Sequence, residues 1–202
     1  MIDKKTLFIV TALFIISIGA LAQKSYQLQS PDGKLTADIV VGTDITYSVS
    51  HQGETLLSPS SVSMQLADGK SFGVNSKLKS IKKNSANQVI PSPFYKRSEI
   101  IDHYNELILN FKEDFNIIFR AYNEGIAYRF VSTGKTDFIV ENEQATFNFK
   151  KDYNAYIPYV NSKAKNIEGQ YFNSFENKYE YTLLSKMNRV RLAFTPLVIE
   201  MD

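Results

Sequence analysis

The side chains able to do chemistry in this chain are few in type. His51 and His103 are the only histidines, 52 positions apart, and no cysteine accompanies them. A zinc centre built on either would need several carboxylates placed by the fold, so each reads as a surface or loop histidine. No serine stands in the Gly-x-Ser-x-Gly context of a nucleophile elbow, and no glycine-rich phosphate cradle occurs. Carboxylates are plentiful, at 21 Asp and Glu. Two carboxylates cleave a glycosidic bond when held roughly 5–5.5 Å apart for retention or 6.5–9.5 Å for inversion, a separation that spacing along strands does not define.

Four positions carry most of the interest as substrate or interdomain contacts: Glu106, Arg120, Glu124 and Arg129. Glu106 lies in an alternating segment, opposite in phase to Leu107, which places it either on the wet face of a sheet or at a sheet edge. Arg120 and Arg129 bracket the turn at Tyr122–Gly125. A buried arginine in a sheet pairs with a carboxylate to offset desolvation, and Glu124 or Glu143 is the expected partner; sugar or interdomain contact is the other reading. Glu141, Glu143, Glu168, Glu176 and Glu180 read as ordinary surface residues. Tyr153, Tyr156, Tyr159, Tyr171, Phe172, Phe175, Tyr179 and Tyr181 form an aromatic series suited to a core, a domain interface or the wall of a sugar cleft.

Strands must position these groups. Tyr26–Gln29 and Leu35–Val41 flank the turn Pro31-Asp32-Gly33-Lys34 and predict an opening hairpin. Ile45–Ser50 alternates, His51–Glu54 turns, and Thr55–Leu57 returns. Ser58-Pro59-Ser60 then breaks the pattern before Val62, Met64 and Leu66 restore it. Phe72–Gln88 is indecisive, with Leu78 and Ile81 in an irregular strand, and Pro91 and Pro93 exclude a central strand there. Tyr104–Phe111, Phe115–Tyr122 and Ile126–Val131 are the strongest signals and predict three adjacent antiparallel strands. Further strands are expected at Phe138–Val140, Thr146–Phe149, Lys178–Leu184, Val190–Phe194 and Leu197–Glu200, with an aromatic, proline-containing stretch at Asp152–Tyr159. No segment of twelve or more residues has a 3.6-residue period. The architecture expected is all-β, a large antiparallel sandwich of two sheets.

Met1–Ala22 has the three parts of a signal peptide: charged Asp3, Lys4 and Lys5, the apolar run Leu7–Ile16, and Ala20-Leu21-Ala22 before Gln23. Gln23 is the expected first mature residue, in a periplasmic or secreted protein without a membrane anchor after cleavage. With no cysteine at the cut there is no thiol to lipidate. Without the leader, 21 basic and 20 acidic residues remain, a nearly neutral surface that argues against nucleic acid as a partner. Export without cysteine means that stability must come from a packed core.

Ser30–Leu35, Tyr104-Asn105-Glu106-Leu107, the cassette Phe119–Phe130 (FRAYNEGIAYRF) and Pro196–Glu200 resemble the amino-terminal region of glycoside hydrolase family 97, over about 180 residues. The resemblance implies a galactose-mutarotase-like β-super-sandwich, residues 23–202, that packs on a (β/α)8 catalytic barrel in a longer α-glucosidase or α-galactosidase. The acid and the base or nucleophile would lie in the barrel, which this chain lacks. It also implies a calcium ion in the cleft of the full enzyme, with one glutamate ligand from near the end of this domain. Glu200 is the nearby candidate, although the glutamate-alanine context of that ligand does not occur before Asp202. Calcium takes six to eight oxygen ligands, so this segment alone is not expected to hold it. The chain has no tryptophan where the family often does.

Two functions follow as expectations. One is the scaffold and cleft wall of an exported α-glycosidase acting on α-linked oligosaccharides, not catalytic alone. The other is a freestanding exported carbohydrate-binding or structural sandwich. The strand-like ending at Leu197–Glu200 favours the first.

Overall fold

The computed structural model describes residues 23–94, 96–173 and 177–201. The segment expected to be a leader, Met1–Ala22, together with Phe175 and Glu176, lies outside the described residues. The chain divides into two compact units, the first running to Asn148 and the second beginning at Phe149.

The first unit is a sandwich of two antiparallel sheets. One sheet has the order β1 (Lys24–Gln29), β2 (Leu35–Val41), β3 (Ile45–His51), β4 (Glu54–Leu66), β10 (Val140–Ala145), with the short β5 (Ser71–Phe72) also on β4. The other has the order β6 (Leu78–Pro91), β7 (Glu99–Phe111), β8 (Phe115–Tyr122), β9 (Gly125–Ser132). Alternation decides the faces, because successive side chains on a strand point to opposite sides. On β2 the buried positions are Leu35, Ala37, Ile39 and Val41, and on β8 they are Phe115, Ile117, Phe119 and Ala121. The two inner faces meet through aromatic rings. Tyr47 of β3 packs against Phe119 at 5.8 Å and Tyr128 at 5.7 Å, and Phe72 stacks on Phe115 at 4.5 Å. Phe111 stacks on the other side of Phe115 at the same separation, nearly parallel at 6°.

Two of the segments that carried the family resemblance, Ser30–Leu35 and Phe119–Phe130, are brought together by their turns. In the β1–β2 turn, Ser30 Oγ donates to Asp32 Oδ1 at 2.6 Å and Asp32 Oδ1 accepts from the Lys34 N–H at 3.1 Å. Gly33 takes the positive φ of 72° that such a turn requires. The bond from Ser30, then that from Lys34, hold the Asp32 carboxyl below its ordinary value. The Asp32 N–H donates to Asn123 Oδ1 in the β8–β9 turn at 3.1 Å, and Asn105 Nδ2 donates to the Gln29 carbonyl at 2.9 Å.

The expected hairpin β1–β2 and the trio β7–β8–β9 form in register. Other expectations are corrected. Ser58-Pro59-Ser60 does not end a strand: β4 runs through it, advancing from Ser60 to Leu57 while β3 advances only from Tyr47 to Val49. The extra residue is a bulge, which accommodates the missing donor of Pro59. The indecisive stretch holds a 14-residue strand, β6, whose mostly polar side chains are tolerated because it is the edge of its sheet. Pro91 is its last residue. The strand expected at Phe138–Val140 begins at Val140, and Asn148 makes only an isolated bridge to Ser58.

The second unit has a three-stranded sheet in the order β12 (Glu180–Leu183), β11 (Asn154–Ile157), β13 (Val198–Glu200). Ala155, Ile157 and Tyr159 are its buried centre, with Leu184, Met187, Ala193, Leu197 and Ile199 packed against them. One short helix, α1 (Ile167–Gln170), is capped by Asn166, whose Oδ1 accepts from the Gly169 N–H at 3.1 Å. Val190–Phe194 is not a strand: Ala193 makes one bridge, to Tyr159, and the buried Gln170 ties down the Val190 carbonyl at 2.8 Å and the Leu192 N–H at 2.7 Å.

Phe115 has no exposed surface and rings on both sides. Phe115→Ala should therefore cost about 3–5 kcal/mol, transfer and cavity contributions together. Urea unfolding followed by fluorescence measures it; a loss within experimental error would show that the seam is not the core.

Candidate functional site

The outward face of the second sheet carries a connected polar cluster. Since Phe119 and Ala121 point inward, Arg120 and Tyr122 point outward, and on β7 the phase of Leu107 sends Tyr104 and Glu106 the same way. Register then sets Glu106 directly opposite Arg120, Tyr104 opposite Tyr122, and Asn84 of β6 on the other side of Glu106.

Arg120 Nε donates to Glu106 Oε2 at 2.7 Å, and Asn84 Nδ2 donates to Glu106 Oε1 at 2.9 Å. The Arg120 guanidinium lies 4.0 Å over the Tyr104 ring, and its Nη1 reaches the Tyr122 hydroxyl at 3.5 Å. Asp102 sits at the margin, where Gln88 Nε2 donates to it at 2.9 Å. Covered this way, Glu106 is only 6% exposed although it stands on an outward face. Burial by itself raises the Glu106 carboxyl, but the bonds from Asn84 and Arg120, together with the charges of Arg120 and Arg129, outweigh it and the net direction is down. Burial likewise acts to lower the Arg120 guanidinium, and the Glu106 bond leads the contributions that raise it overall.

Of the four expected contact residues, the structure joins Glu106 with Arg120 and brings the charge of Arg129 to bear on the pair. Arg129 itself is exposed, in register with Ile118. Glu124 is exposed in the β8–β9 turn, and Glu143 is exposed on β10 in the other sheet. Neither is the partner of Arg120: that place belongs to Glu106, because cross-strand register rather than sequence proximity selects the pair. Sequence reasoning did not single out Asn84, Asp102 or Tyr104. Asp102, Tyr104 and Glu106 share one phase on β7, a signal that was present; the polar β6 offered none for Asn84.

Both oxygens of Glu106 are engaged, and its carboxyl is held ionised, so it has no proton to deliver as a general acid. Asp102, the nearest carboxylate on the same face of β7, meets the pair only through the Tyr122 hydroxyl, which lies 3.5 Å from Asp102 Oδ1 and 3.5 Å from Arg120 Nη1. The cluster is an anchored ion pair.

In the second unit, Tyr181 OH donates to Glu200 on the open face of the three-stranded sheet, beside Tyr156, whose ring lies 4.7 Å from that of Tyr181. Among the described residues no three His, Asp or Glu gather at Glu200 or elsewhere. The oxygen set present does not fit a calcium site. The aromatic series divides: Tyr159 is buried, accepting from the Asn188 N–H at 2.7 Å, whereas Tyr156, Tyr171, Phe172, Tyr179 and Tyr181 are exposed.

Two outcomes are expected at the ion pair. Arg120→Met, which leaves Glu106 without its counter-charge, should destabilise by about 2 kcal/mol, less than for a fully enclosed pair because Arg120 is 30% exposed. The folded Glu106 carboxyl lies below its ordinary value of 4.5, so its stabilisation is complete above that pH and lost as pH falls through the folded value. Unfolding free energy measured from about pH 6 to pH 3 should therefore fall more steeply in the parent protein than in Glu106→Gln. Equal slopes would refute the assignment.

Comparison with known proteins follows the same lines. The family profile described as glycosyl-hydrolase 97 N-terminal matches residues 28–202. A retaining alpha-galactosidase of Bacteroides thetaiotaomicron is 45% identical over 198 residues, covering 98% of this chain; the chain spans 30% of that relative's length. A glycoside hydrolase family 97 enzyme from Pseudoalteromonas sp. strain K8, solved with panose, superposes with a TM-score of 0.69 at 20% identity, over 87% of this chain and 26% of that one. A beta-arabinopyranosidase superposes with a TM-score of 0.65 at 25% identity, over 78% of this chain and 26% of that one. The likeness at 20% identity bears on the fold, and the profile and the relative bear on descent. The chain belongs to the glycosyl-hydrolase 97 N-terminal family.

Proposed function

We propose that this chain is the amino-terminal scaffold of an exported α-glycosidase and forms one wall of its active-site cleft. The single observation that carries the reading is the match of nearly the whole chain to 30% of a relative named a retaining alpha-galactosidase. α-Linked oligosaccharides are the substrate class, and α-galactosides are favoured over α-glucosides by that identity. The acid and the nucleophile or base belong to a (β/α)8 barrel elsewhere in the parent polypeptide. The character of Glu106 supports this division of labour, since a carboxylate bound by Asn84 and Arg120 serves architecture. A calcium ion of the full enzyme would take most of its ligands from that barrel, and Glu200 is at most one of them. The leader directs the protein to the periplasm or outside the cell.

Residues 23–202, purified alone, should release no nitrophenol from aryl α-galactosides or aryl α-glucosides. Robust turnover that survives repurification would overturn the scaffold reading. Retention on a glycan column without turnover would favour a freestanding binding module, for which the exposed Tyr156 and Tyr181 are the candidate platform. Mass spectrometry of the exported protein should find Gln23 at the amino terminus; an intact leader would overturn the localisation.

A further inference from the structure

The two sheets of the first unit end out of step. β1 is the edge of one sheet and packs over β7 and β8, whereas β6, the edge of the other, lies one strand further out. The side chains of β6 record the overhang. Ile81, Lys83, Ser85 and Asn87 share the inward phase of Leu107 and Leu109, yet all four are exposed, while the outward Asn84 and Ala86 are half-buried. Among the described residues, no strand of the first sheet covers that inner face.

The strand edge beside this gap is open. The Ser30 N–H donates to the Leu35 carbonyl at 2.9 Å, and antiparallel alternation then turns the N–H and C=O groups of Leu28, Tyr26 and Lys24 toward β2. Those of Ser25, Gln27 and Gln29 face the gap. Asn105 Nδ2 reaches up from β7 to the Gln29 carbonyl at 2.9 Å, which leaves the N–H and C=O of Ser25 and Gln27 and the N–H of Gln29 for a partner. Edge strands are ordinarily blunted by proline, a bulge or lysine along their length. β1 has no proline, pairs with β2 without a bulge, and carries one lysine, Lys24, at its first position. A cavity of about 590 Å³ lies along the edge, with Gln27 and Gln29 on one side, Lys83 and Ser85 on the other, and Asn105 and Glu106 between.

We propose that this slot receives an extended peptide strand from a separate polypeptide, hydrogen-bonded to the open edge of β1 and carrying a carboxylate over Lys83. An edge of alternating donors and acceptors recognises another backbone, and the side chains beneath it select the sequence. Lys83 supplies that selection. It makes no ion pair among the described residues, and the other charge in the slot, Glu106, is neutralised by Arg120. A strand built permanently into a sandwich covers apolar side chains, whereas Lys83, Ser85 and Asn87 present a polar floor that stays solvated when the slot is empty. Such a floor suits a partner that comes and goes. A second copy does not fit: pairing β1 with its own image brings the overhanging β6 of each copy into the second sheet of the other.

The probe is a fluorescein-labelled peptide, Thr-Ser-Val-Glu-Val-Ser-Thr, titrated with the exported chain and followed by anisotropy, with lysine in place of its glutamate as the counterpart. Gln27→Pro removes an N–H that faces the gap and that the ladder to β2 does not use, a change an edge strand tolerates. Gln27→Ala keeps that N–H, and Lys83→Glu reverses the charge of the floor. The slot predicts saturable binding of the glutamate peptide, unchanged by Gln27→Ala and weakened at least ten-fold by Gln27→Pro. It also predicts that Lys83→Glu reverses the preference to the lysine peptide. Circular dichroism checks each variant, and should Gln27→Pro unfold, the reversal by Lys83→Glu decides alone. No saturation up to about 1 mM chain, or binding indifferent to both changes, overturns the proposal. So does a dimer mass by light scattering that Gln27→Pro abolishes, which would make a second copy the occupant. The chain is also fused in place of the matching part of the Bacteroides thetaiotaomicron relative. Loss of peptide binding in a fusion that hydrolyses an aryl α-galactoside would show that the parent polypeptide fills the slot, and would overturn a separate partner while leaving the scaffold reading standing. A folded fusion that binds the peptide but does not hydrolyse counts against the scaffold reading alone.

Discussion

Phe115 lies stacked between Phe72 and Phe111, and this three-ring seam, continued by Tyr47 against Phe119 and Tyr128, joins two sheets that no disulfide connects. A sandwich without covalent cross-links stands on the apolar area its inner faces remove from water. Every other feature inherits its position from that requirement. Because Phe115, Ile117 and Phe119 must point inward, Arg120 must point outward, and because Leu107 and Leu109 must point inward, Glu106 must meet Arg120 on the far side. A slip of one residue in β7 or β8 would bury the charges and expose the rings.

The ion pair is a consequence of the same register and adds direction to it. Its carboxylate is shielded by Tyr104, Arg120 and Asn84 and is held ionised by two charge-assisted bonds, so breaking either side leaves a poorly solvated charge. That cost penalises alternative pairings of β6, β7 and β8. The turns act similarly at the end of the sandwich, where the Asp32 N–H finds Asn123 and the Asn105 amide finds the Gln29 carbonyl. The opening turn and the Phe119–Phe130 cassette, both part of the family resemblance, are therefore parts of one mechanical joint.

This division of roles bears on function. A carboxylate that is neutralised and hydrogen-bonded on both oxygens is well suited to holding a shape and poorly suited to moving protons. The second unit repeats the pattern on a smaller scale, with Asp152 accepting from the Ser185 N–H and hydroxyl at 2.8 and 2.6 Å and Glu200 accepting from Tyr181. The chain so constituted spans 30% of the length of the retaining alpha-galactosidase it matches.

Alternation determined the β7–β8–β9 trio, since a period of two over six or more residues admits one set of inward faces, and turn composition at Pro31-Asp32-Gly33-Lys34 determined the opening hairpin. The family cassette was likewise readable as a local string. What required tertiary structure was every feature decided by a partner distant in the chain. β6 is mostly polar, its few apolar residues do not alternate, and it became legible as a strand only because β7 supplies its hydrogen bonds. Pro59 does not interrupt β4 because a bulge opposite β3 absorbs it. Arg120 pairs with Glu106, 14 positions earlier, instead of with the nearby Glu124, because residues four apart around a turn occupy different places while register sets cross-strand neighbours about 5 Å apart. Composition and periodicity specify which face a side chain occupies; only the assembled sheet specifies what it meets there.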